Sequence, residues 1–243
     1  MKPFVLLATR AEDVPADEEY ALFLRYAGLQ PEQLVRVRLE AERMPRLDLD
    51  GLSGIFVGGG PFNASDPVEK KSAVQRRVEA EFAELLDEVV ARDFPFLGAC
   101  YGIGTLGAHQ GAVIDRTYAE PIGIVPVTVT TAGASDPLLA DMPATFDAFV
   151  GHKEAISRLP ASATLLASSP KCPVQMFRVG QNVYATQFHP ELDVEGITTR
   201  VHAYADHGYF ASHELQLTLA AVRRIAVSHP SRILRAFVDR YAR

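Results

Sequence analysis

The sequence lacks any long apolar segment. Its first apolar run, Phe4–Ala8, is far shorter than the roughly 20 residues that a membrane-spanning helix requires, and no later run approaches that length. The run is also too short for the apolar core of a signal peptide. We therefore expect a cytoplasmic protein with no membrane partner.

Cysteine is scarce, since the 243 residues include only Cys100 and Cys172. Neither lies in a Cys-x-x-Cys pair or in a closely spaced cluster of cysteine and histidine, which argues against structural zinc and against a disulfide framework. One disulfide between the two thiols is conceivable, but a reducing compartment favours free thiols. We expect two free cysteines and no metal site.

Positive charge is also in short supply. The chain has 24 lysines and arginines against 30 aspartates and glutamates, a formal net charge of −6. It lacks the positive field that draws proteins to phosphate backbones, so nucleic acid is not an expected partner. Hydrophobic residues make up 48% of the chain and charged residues 22%, which is typical of a globular protein with a sizeable core.

The N-terminal half alternates short apolar runs with helical patterns. The runs Phe4–Ala8, Leu34–Leu39, Ile55–Val57 and Phe96–Ala99 predict strands. Helices are predicted from Asp17 to Ala27, before the helix-stopping Gly28, and from Asp66-Pro67 to Val90. This order is typical of βαβ units, and it predicts an α/β three-layer sandwich with a mainly parallel central sheet, similar to flavodoxin.

The C-terminal half has a different pattern. Short strands separated by turn residues are predicted at Ile124–Thr131, Thr145–Val150, Val174–Val179 and Val183–Phe188, and we expect them to be added antiparallel strands. Helical periodicity returns at about 194–243. We expect residues 1–243 to form a single domain with a helical C-terminal extension.

The sharpest local motif is Gly98-Ala99-Cys100-Tyr101-Gly102, between a predicted strand and a helix start. Small residues on both sides permit a strained turn that exposes a nucleophile, as in the nucleophile elbow of serine hydrolases. The N-terminus of the following helix favours a thiolate. The alternative is that Cys100 is a small buried hydrophobic residue, as free cysteines often are.

A second motif is Gln187-Phe188-His189-Pro190-Glu191, at the end of a predicted strand. His189 and Glu191 are two residues apart, so in extended backbone they project to the same side. The carboxylate can then orient the imidazole that activates a thiol. This pairing predicts a triad of Cys100, His189 and Glu191.

A third motif, Gly58-Gly59-Gly60-Pro61, follows a predicted buried strand. Without side chains, the backbone of Gly59 and Gly60 could approach a substrate and direct N–H groups at a developing oxyanion. A phosphate-binding loop is disfavoured, because no Lys-Ser or Lys-Thr follows at the required spacing. A tight glycine turn without a ligand stays open.

Together these three motifs resemble the class I glutamine amidotransferases, in particular proteins similar to the amidotransferase domain of GMP synthase. The resemblance implies the fold of that family, a Cys100 nucleophile that forms a γ-glutamyl thioester, and an oxyanion hole built from the N–H groups of Gly60 and Tyr101. It also implies that Gly151 and His152, which resemble the family's Ser-His-x-Asp segment, border the substrate pocket. No cofactor is expected.

One departure from the family leaves the substrate open. Members that use glutamine commonly read Cys-x-Gly-x-Gln at the elbow, whereas this chain has Gly104 in place of that glutamine. The substrate is therefore expected to be glutamine or another γ-glutamyl compound, and a γ-glutamyl peptidase is the alternative to a glutaminase.

The resemblance also raises the question of partners. The 243 residues show no ATP-binding loop or second catalytic domain, so ammonia released from glutamine would need a partner, namely a synthetase subunit. A non-catalytic regulatory role is disfavoured by the intact Cys100, His189 and Glu191. The sequence leaves a homo-oligomer open.

Overall fold

The computed structural model describes residues 1–204, 215–224 and 226–243, and these residues contain eleven β-strands. In chain order the strands are β1 (Phe4–Ala8), β2 (Leu34–Arg38), β3 (Gly54–Val57), β4 (Phe96–Ala99), β5 (Val113–Asp115), β6 (Glu120–Val129), β7 (Thr145–His152), β8 (Ala155–Arg158), β9 (Ala163–Ser168), β10 (Met176–Val179) and β11 (Val183–Thr186). The four strands expected in the N-terminal half are confirmed. The apolar pattern does not predict β5, β8 or β9.

Seven α-helices lie within the described residues. They are α1 (Asp13–Ala27), α2 (Ala73–Ala91), α3 (Tyr101–His109), α4 (Thr131–Ala134), α5 (Val194–Ala203), α6 (Leu215–Val222) and α7 (Ser231–Tyr241). α1 ends at Gly28, whose φ of 69° is a left-handed conformation that glycine adopts without steric cost. None of the helices in these residues combines the length and apolarity that crossing a bilayer requires.

The start of α2 differs from the sequence prediction. The Asp66-Pro67 pair predicts a helix start, but only a single 3-10 turn follows it, and α2 begins at Ala73. The side chain of Ser72 caps α2 by accepting a hydrogen bond from the N–H of Gln75 at 3.0 Å. Asp66 instead accepts hydrogen bonds from the side chains of Asn63 and Arg116. The prediction of this boundary was wrong because the Ser-x-x-Gln pattern is the stronger capping signal.

Nine of the strands form one sheet in the order β2-β1-β3-β4-β11-β10-β9-β6-β7, and β5 pairs with β8 in a separate ribbon. The strands from β2 to β11 in this order are parallel, and the remaining pairs are antiparallel. The expected antiparallel additions are thus present in β6, β7, β9 and β10. β11 is the exception, because it lies parallel to β4 and belongs to the centre of the sheet.

Helices cover both faces of the parallel strands, which confirms the α/β fold class. Alternate residues of β1 point to opposite faces, as the period of two requires. Val5 and Leu7 join a cluster with the buried residues of α2 and α3, whereas Phe4 and Leu6 join a cluster with those of α1 and α7. The carboxyl ends of the parallel strands therefore meet at one edge of a sheet that is buried on both sides.

The last helix, α7, is part of this core. Phe237 is fully buried, and its ring centroid lies 5.1 Å from that of Phe56 and 6.1 Å from that of Phe4. α5, nearer the motifs, packs on α1, and Tyr26 donates to the N-cap residue Asp193 at 2.8 Å. We propose on this basis that residues 1–243 form one domain.

We expect Phe237→Ala to lower the free energy of unfolding by about 3–5 kcal/mol, because it leaves a cavity among the aromatic rings on that face of the sheet. Urea unfolding followed by circular dichroism measures the change. Val14→Ala, at a mostly exposed position of α1, is the matched control and should change the stability little. Equal stabilities of the two variants would contradict the proposal that α7 belongs to the core.

Candidate active site

Cys100 occupies the turn between β4 and α3. Its backbone has φ 51° and ψ −91°, a combination that residues other than glycine rarely adopt. The flanking glycines pack against each other, since a Cβ atom on Gly98 would lie 2.9 Å from backbone carbons of Gly102. The N–H of Cys100 donates to the carbonyl of Thr186 on β11 at 2.8 Å. The strained turn expected from the sequence is present, and it leaves Cys100 partly exposed.

The Cys100 thiol needs a proton acceptor to become a nucleophile. Burial raises the pKa of this thiol to about 12, although the cations of Arg10 and Arg200 act in the opposite direction. A thiol with such a pKa is protonated at neutral pH. The expectation that the N-terminus of α3 favours the thiolate stays a prediction.

His189 and Glu191 lie just beyond the end of β11, the strand that pairs with β4. The register places Thr186 beside Ala99, so the two chain segments leave the sheet together at Cys100 and Gln187. The N–H of His189 donates to the carbonyl of Phe149 at 3.0 Å, which fixes the backbone. Nδ1 of His189 lies 2.8 Å from Oε1 of Glu191, which is a hydrogen-bond distance.

Burial and charge act on this pair in opposite ways. Burial lowers the pKa of His189, and Arg200 lowers it further, whereas the Glu191 carboxylate raises it. Burial alone would raise the pKa of Glu191, but the interactions with His189 and with the Arg200 cation bring it well below its usual range. The result is an ionised Glu191 beside an imidazole that favours its neutral, basic form.

The three glycines after β3 make room for neighbouring side chains. A Cβ on Gly58 would collide with the carboxylate of Glu19, and one on Gly60 would collide with the hydroxyl of Thr9. A Cβ on Gly59 would lie 2.6 Å from Arg10 and from Cε1 of His189. This loop is therefore glycine-rich because side chains of the site press against its backbone.

Gly59 differs from the substrate contact that the sequence predicts. Its N–H donates to Oε1 of Glu19 at 3.2 Å, and Gly59 lines neither of the two clefts that open at Cys100. Gly60 lines both clefts, and Tyr101 lines the first. The N–H of Tyr101 is the first of α3, where helical N–H groups have no partner within the helix. Gly60 and Tyr101 thus lie where an oxyanion hole is expected.

Two clefts meet at Cys100 and share Gly60 and Gly151 as lining residues. Glu154, at the wall of the first cleft, gives that cleft an anionic group. The second cleft contains His189 and lies between the end of β1 and α5. Its other lining residues are Arg10, Ile122, Val150, Leu192, Ile197, Arg200 and Tyr204. The cysteine is therefore accessible from two sides, one lined by Lys153 and Glu154 and the other by two arginines.

His152 borders the first cleft, but its side chain is buried and bonded inside the protein. Nε2 lies 3.0 Å from Oε2 of Glu120, and Nδ1 lies 2.9 Å from the carbonyl oxygen of Glu154. Donor atoms of His152, Glu120 and Cys172 lie within 4.8 Å of one another, close enough to hold a metal ion. However, the Cys172 thiol donates to the carbonyl of Val174, and His152 is hydrogen-bonded to Glu120 and Glu154. These three side chains thus have hydrogen-bond partners within the protein.

Gly104 lies in a part of the first cleft that has no room for a longer side chain. A Cβ at this position would lie 3.2 Å from Oε1 of Glu154 and 3.6 Å from Ala64. The Glu154 carboxylate is held there by the N–H groups of Ala64 and Ser65, both at 2.7 Å. In this chain, Glu154 occupies space that a glutamine at position 104 would need.

Sequence reasoning missed four buried polar residues that surround the predicted triad. Arg10, Glu19 and Arg200 are each at most 5% exposed, and they contact Glu191, His189 or the glycine loop. Tyr204 completes the group by accepting a hydrogen bond from Arg10 at 2.9 Å. They come from β1, α1 and α5, and no local spacing connects them.

Comparison with known proteins adds independent information. The family model for glutamine amidotransferase class-I matches residues 24–201. A subunit of the glutamine-hydrolyzing GMP synthase of Thermoplasma acidophilum is 30% identical over 147 residues, which are 60% of this chain and 66% of that protein. The glutamine-hydrolyzing GMP synthase of Xylella fastidiosa is 28% identical over 145 residues, which are 58% of this chain but only 25% of that protein. This chain therefore spans less than two thirds of these relatives.

A solved structure shows the same fold. A glutamine amidotransferase from Thermotoga maritima superposes with a TM-score of 0.78, at 21% sequence identity, over 99% of this chain and 98% of that chain. The motifs, the fold and the family model agree, and the match covers most of the sequence. This chain belongs to the class I glutamine amidotransferase family.

Proposed function

We propose that the chain is a cysteine-dependent amidohydrolase that cleaves the γ-amide of glutamine. The observation that carries the proposal is that Cys100, on a strained turn, shares the second cleft with His189, which is hydrogen-bonded to the buried Glu191. Gly60 and Tyr101 lie beside it with N–H groups suited to an oxyanion. The family to which the chain belongs supports the same chemistry.

The reaction begins when Nε2 of His189 takes the thiol proton and the Cys100 sulfur attacks the carbonyl carbon. The carbonyl oxygen gains negative charge, which the N–H groups of Gly60 and Tyr101 stabilise. As the C–N bond breaks, His189 returns its proton to the departing nitrogen, and ammonia leaves. A γ-glutamyl thioester then remains on Cys100.

Water completes the cycle. His189 takes a proton from the water as its oxygen attacks the thioester, and the proton then returns to the sulfur as glutamate is released. Glu191 keeps the imidazole in the tautomer that presents Nε2 to the sulfur and stabilises its charged form. None of these steps requires a cofactor.

The fate of ammonia defines the partner in this proposal. The matched GMP synthase protein of Thermoplasma acidophilum is named as one subunit of that enzyme, and this chain spans 66% of it. We infer that a separate synthetase subunit receives the ammonia. Self-association into a homo-oligomer stays a prediction.

The first test uses the two thiols of the chain. We expect iodoacetamide to modify Cys100 at least about 10-fold faster than Cys172 at neutral pH. Burial raises the pKa of both thiols to about 12, but only Cys100 is partly exposed, and it shares a cleft with His189. Peptide mass spectrometry measures the two rates, and His189→Ala should slow the Cys100 reaction. Equal rates for the two cysteines would contradict the assignment of the nucleophile.

The second test measures glutamate release from glutamine by the purified chain. Cys100→Ala should reduce turnover by a factor on the order of 10³ or more, because no nucleophile remains. Cys172→Ala is the matched control, since it removes the other thiol at a fully buried position that lines neither cleft. Unchanged turnover in pure Cys100→Ala would refute the mechanism.

A second candidate function is the hydrolysis of γ-glutamyl peptides, and the second cleft favours it. His189 lines that cleft but not the first, so the leaving group that it protonates departs on that side. Ammonia needs no room there, whereas an amino acid or peptide does. Gly104 stands in place of the glutamine that is common in glutamine-using members, and this difference also favours another substrate preference.

The choice between the two functions rests on leaving-group size. If the second cleft binds the leaving group, kcat/KM for γ-glutamyl peptides such as glutathione should exceed that for glutamine by about 10-fold or more. Glutamate release from both substrates is measured in parallel, with Cys100→Ala as the blank. A preference for glutamine would leave the second cleft as the exit route for ammonia.

A further inference from the structure

The Arg200 side chain joins the triad to a second buried carboxylate. Nη2 donates to Oε1 of Glu191 at 2.9 Å and to Oε1 of Glu19 at 3.1 Å. Nη1 lies 2.9 Å from Nδ1 of His189. The side chain is 5% exposed, so these contacts are made away from water. One guanidinium therefore contacts both the base and the carboxylate that orients it.

Glu19 extends this connection to the glycine loop. Its Oε1 also accepts from Nε of Arg10 at 3.0 Å and from the N–H of Gly59 at 3.2 Å. Gly59 precedes Gly60, whose N–H is the proposed oxyanion donor. The loop, the imidazole and the Glu191 carboxylate thus share one set of buried charged contacts. A shift in Arg200 would be transmitted to both halves of the proposed site.

The charges in this cluster balance only when His189 is neutral. Arg10 and Arg200 contribute two positive charges, and Glu19 and Glu191 contribute two negative charges. A proton on His189 adds an uncompensated charge in a buried position, next to a fixed cation 2.9 Å from Nδ1. Neutral imidazole is also the form that can accept the thiol proton.

We propose that Arg200 is a positioning residue of the triad, which holds the Glu191 carboxylate against the imidazole and keeps His189 in its neutral, proton-accepting form. This inference rests on the proposed function. It is supported by the direction of the pKa shifts, because Arg200 lowers the pKa of His189 and that of Cys100. Both effects keep Cys100 and His189 in their reactive forms at lower pH.

Other ionisable groups surround His189 and Cys100 and stay unchanged when Arg200 is replaced. They are Arg10 after β1, Glu19 in the middle of α1, Glu154 between β7 and β8, Glu191 after β11, and Tyr204 at the end of α5, whose hydroxyl contacts Glu12 before α1. Removal of Arg200 leaves these groups with one positive charge fewer. The pKa of His189 and that of Cys100 should therefore both rise.

The experiment measures the rate of Cys100 alkylation by iodoacetamide from pH 5 to pH 9, which requires no substrate. In Arg200→Met, we expect the acid limb of the profile to move to higher pH by about 1 unit, as for the loss of a cation at this distance. Arg200→Lys keeps the charge and should keep the limb near that of the unchanged protein. Arg178→Met is the control and should leave the limb unmoved, since it breaks a partly buried ion pair between Arg178 on β10 and Asp136.

A purely structural role for Arg200 predicts a lower rate at every pH with the limb unmoved, and that result would overturn the proposal. Glu19→Gln provides a second variant in case Arg200→Met does not fold. It removes a negative charge beside Arg200, so the limb should move to lower pH, and no movement in this variant would also count against the proposal. Alkylation needs only the thiol and the imidazole. The pH profile can therefore still test the role of Arg200 if the protein hydrolyses neither glutamine nor γ-glutamyl peptides.

Discussion

The parallel pairing of β4 with β11 is the interaction on which the proposed site depends. Strands that are adjacent and parallel end at the same edge of a sheet, so the pairing brings together two motifs that are distant in sequence. The bond from the Cys100 N–H to the Thr186 carbonyl secures the elbow to the very strand that carries His189. A slip by one residue would turn both motifs away from each other, because side chains alternate along a strand.

Close backbone approach is the second constraint. In the elbow, Gly98 and Gly102 are in mutual contact, and in the loop after β3 each glycine faces a different side chain. This explains why the loop carries no other residue type even at Gly59, whose N–H is bonded to Glu19 and not to a ligand site. The glycines serve the packing of the charged residues behind the cleft as much as access to the cleft.

Local patterns predicted the parts of the structure that local forces determine. The elbow, the His189 and Glu191 spacing and the N-terminal strands are each encoded within a few neighbouring residues. The direction of β11 is not, because a strand's partner depends on the whole fold. Val183–Thr186 is buried throughout, which is typical of a central parallel strand, but this burial is visible only in the structure. The cluster of Arg10, Glu19 and Arg200 could not be predicted from the sequence, because these residues lie on three separate parts of the chain that only the fold brings together.

The position of Arg200 also gives a physical role to the C-terminal part of the chain. The sequence predicts helices at about 194–243 but not what they pack against. α7 packs on the sheet through Phe237, whereas α5 lines the second cleft and places Arg200 against His189 and Glu191. A buried cation is tolerated only where carboxylates compensate it, and here one of those carboxylates is Glu191 itself. The packing of α5 on α1 is therefore coupled to the charge balance at His189.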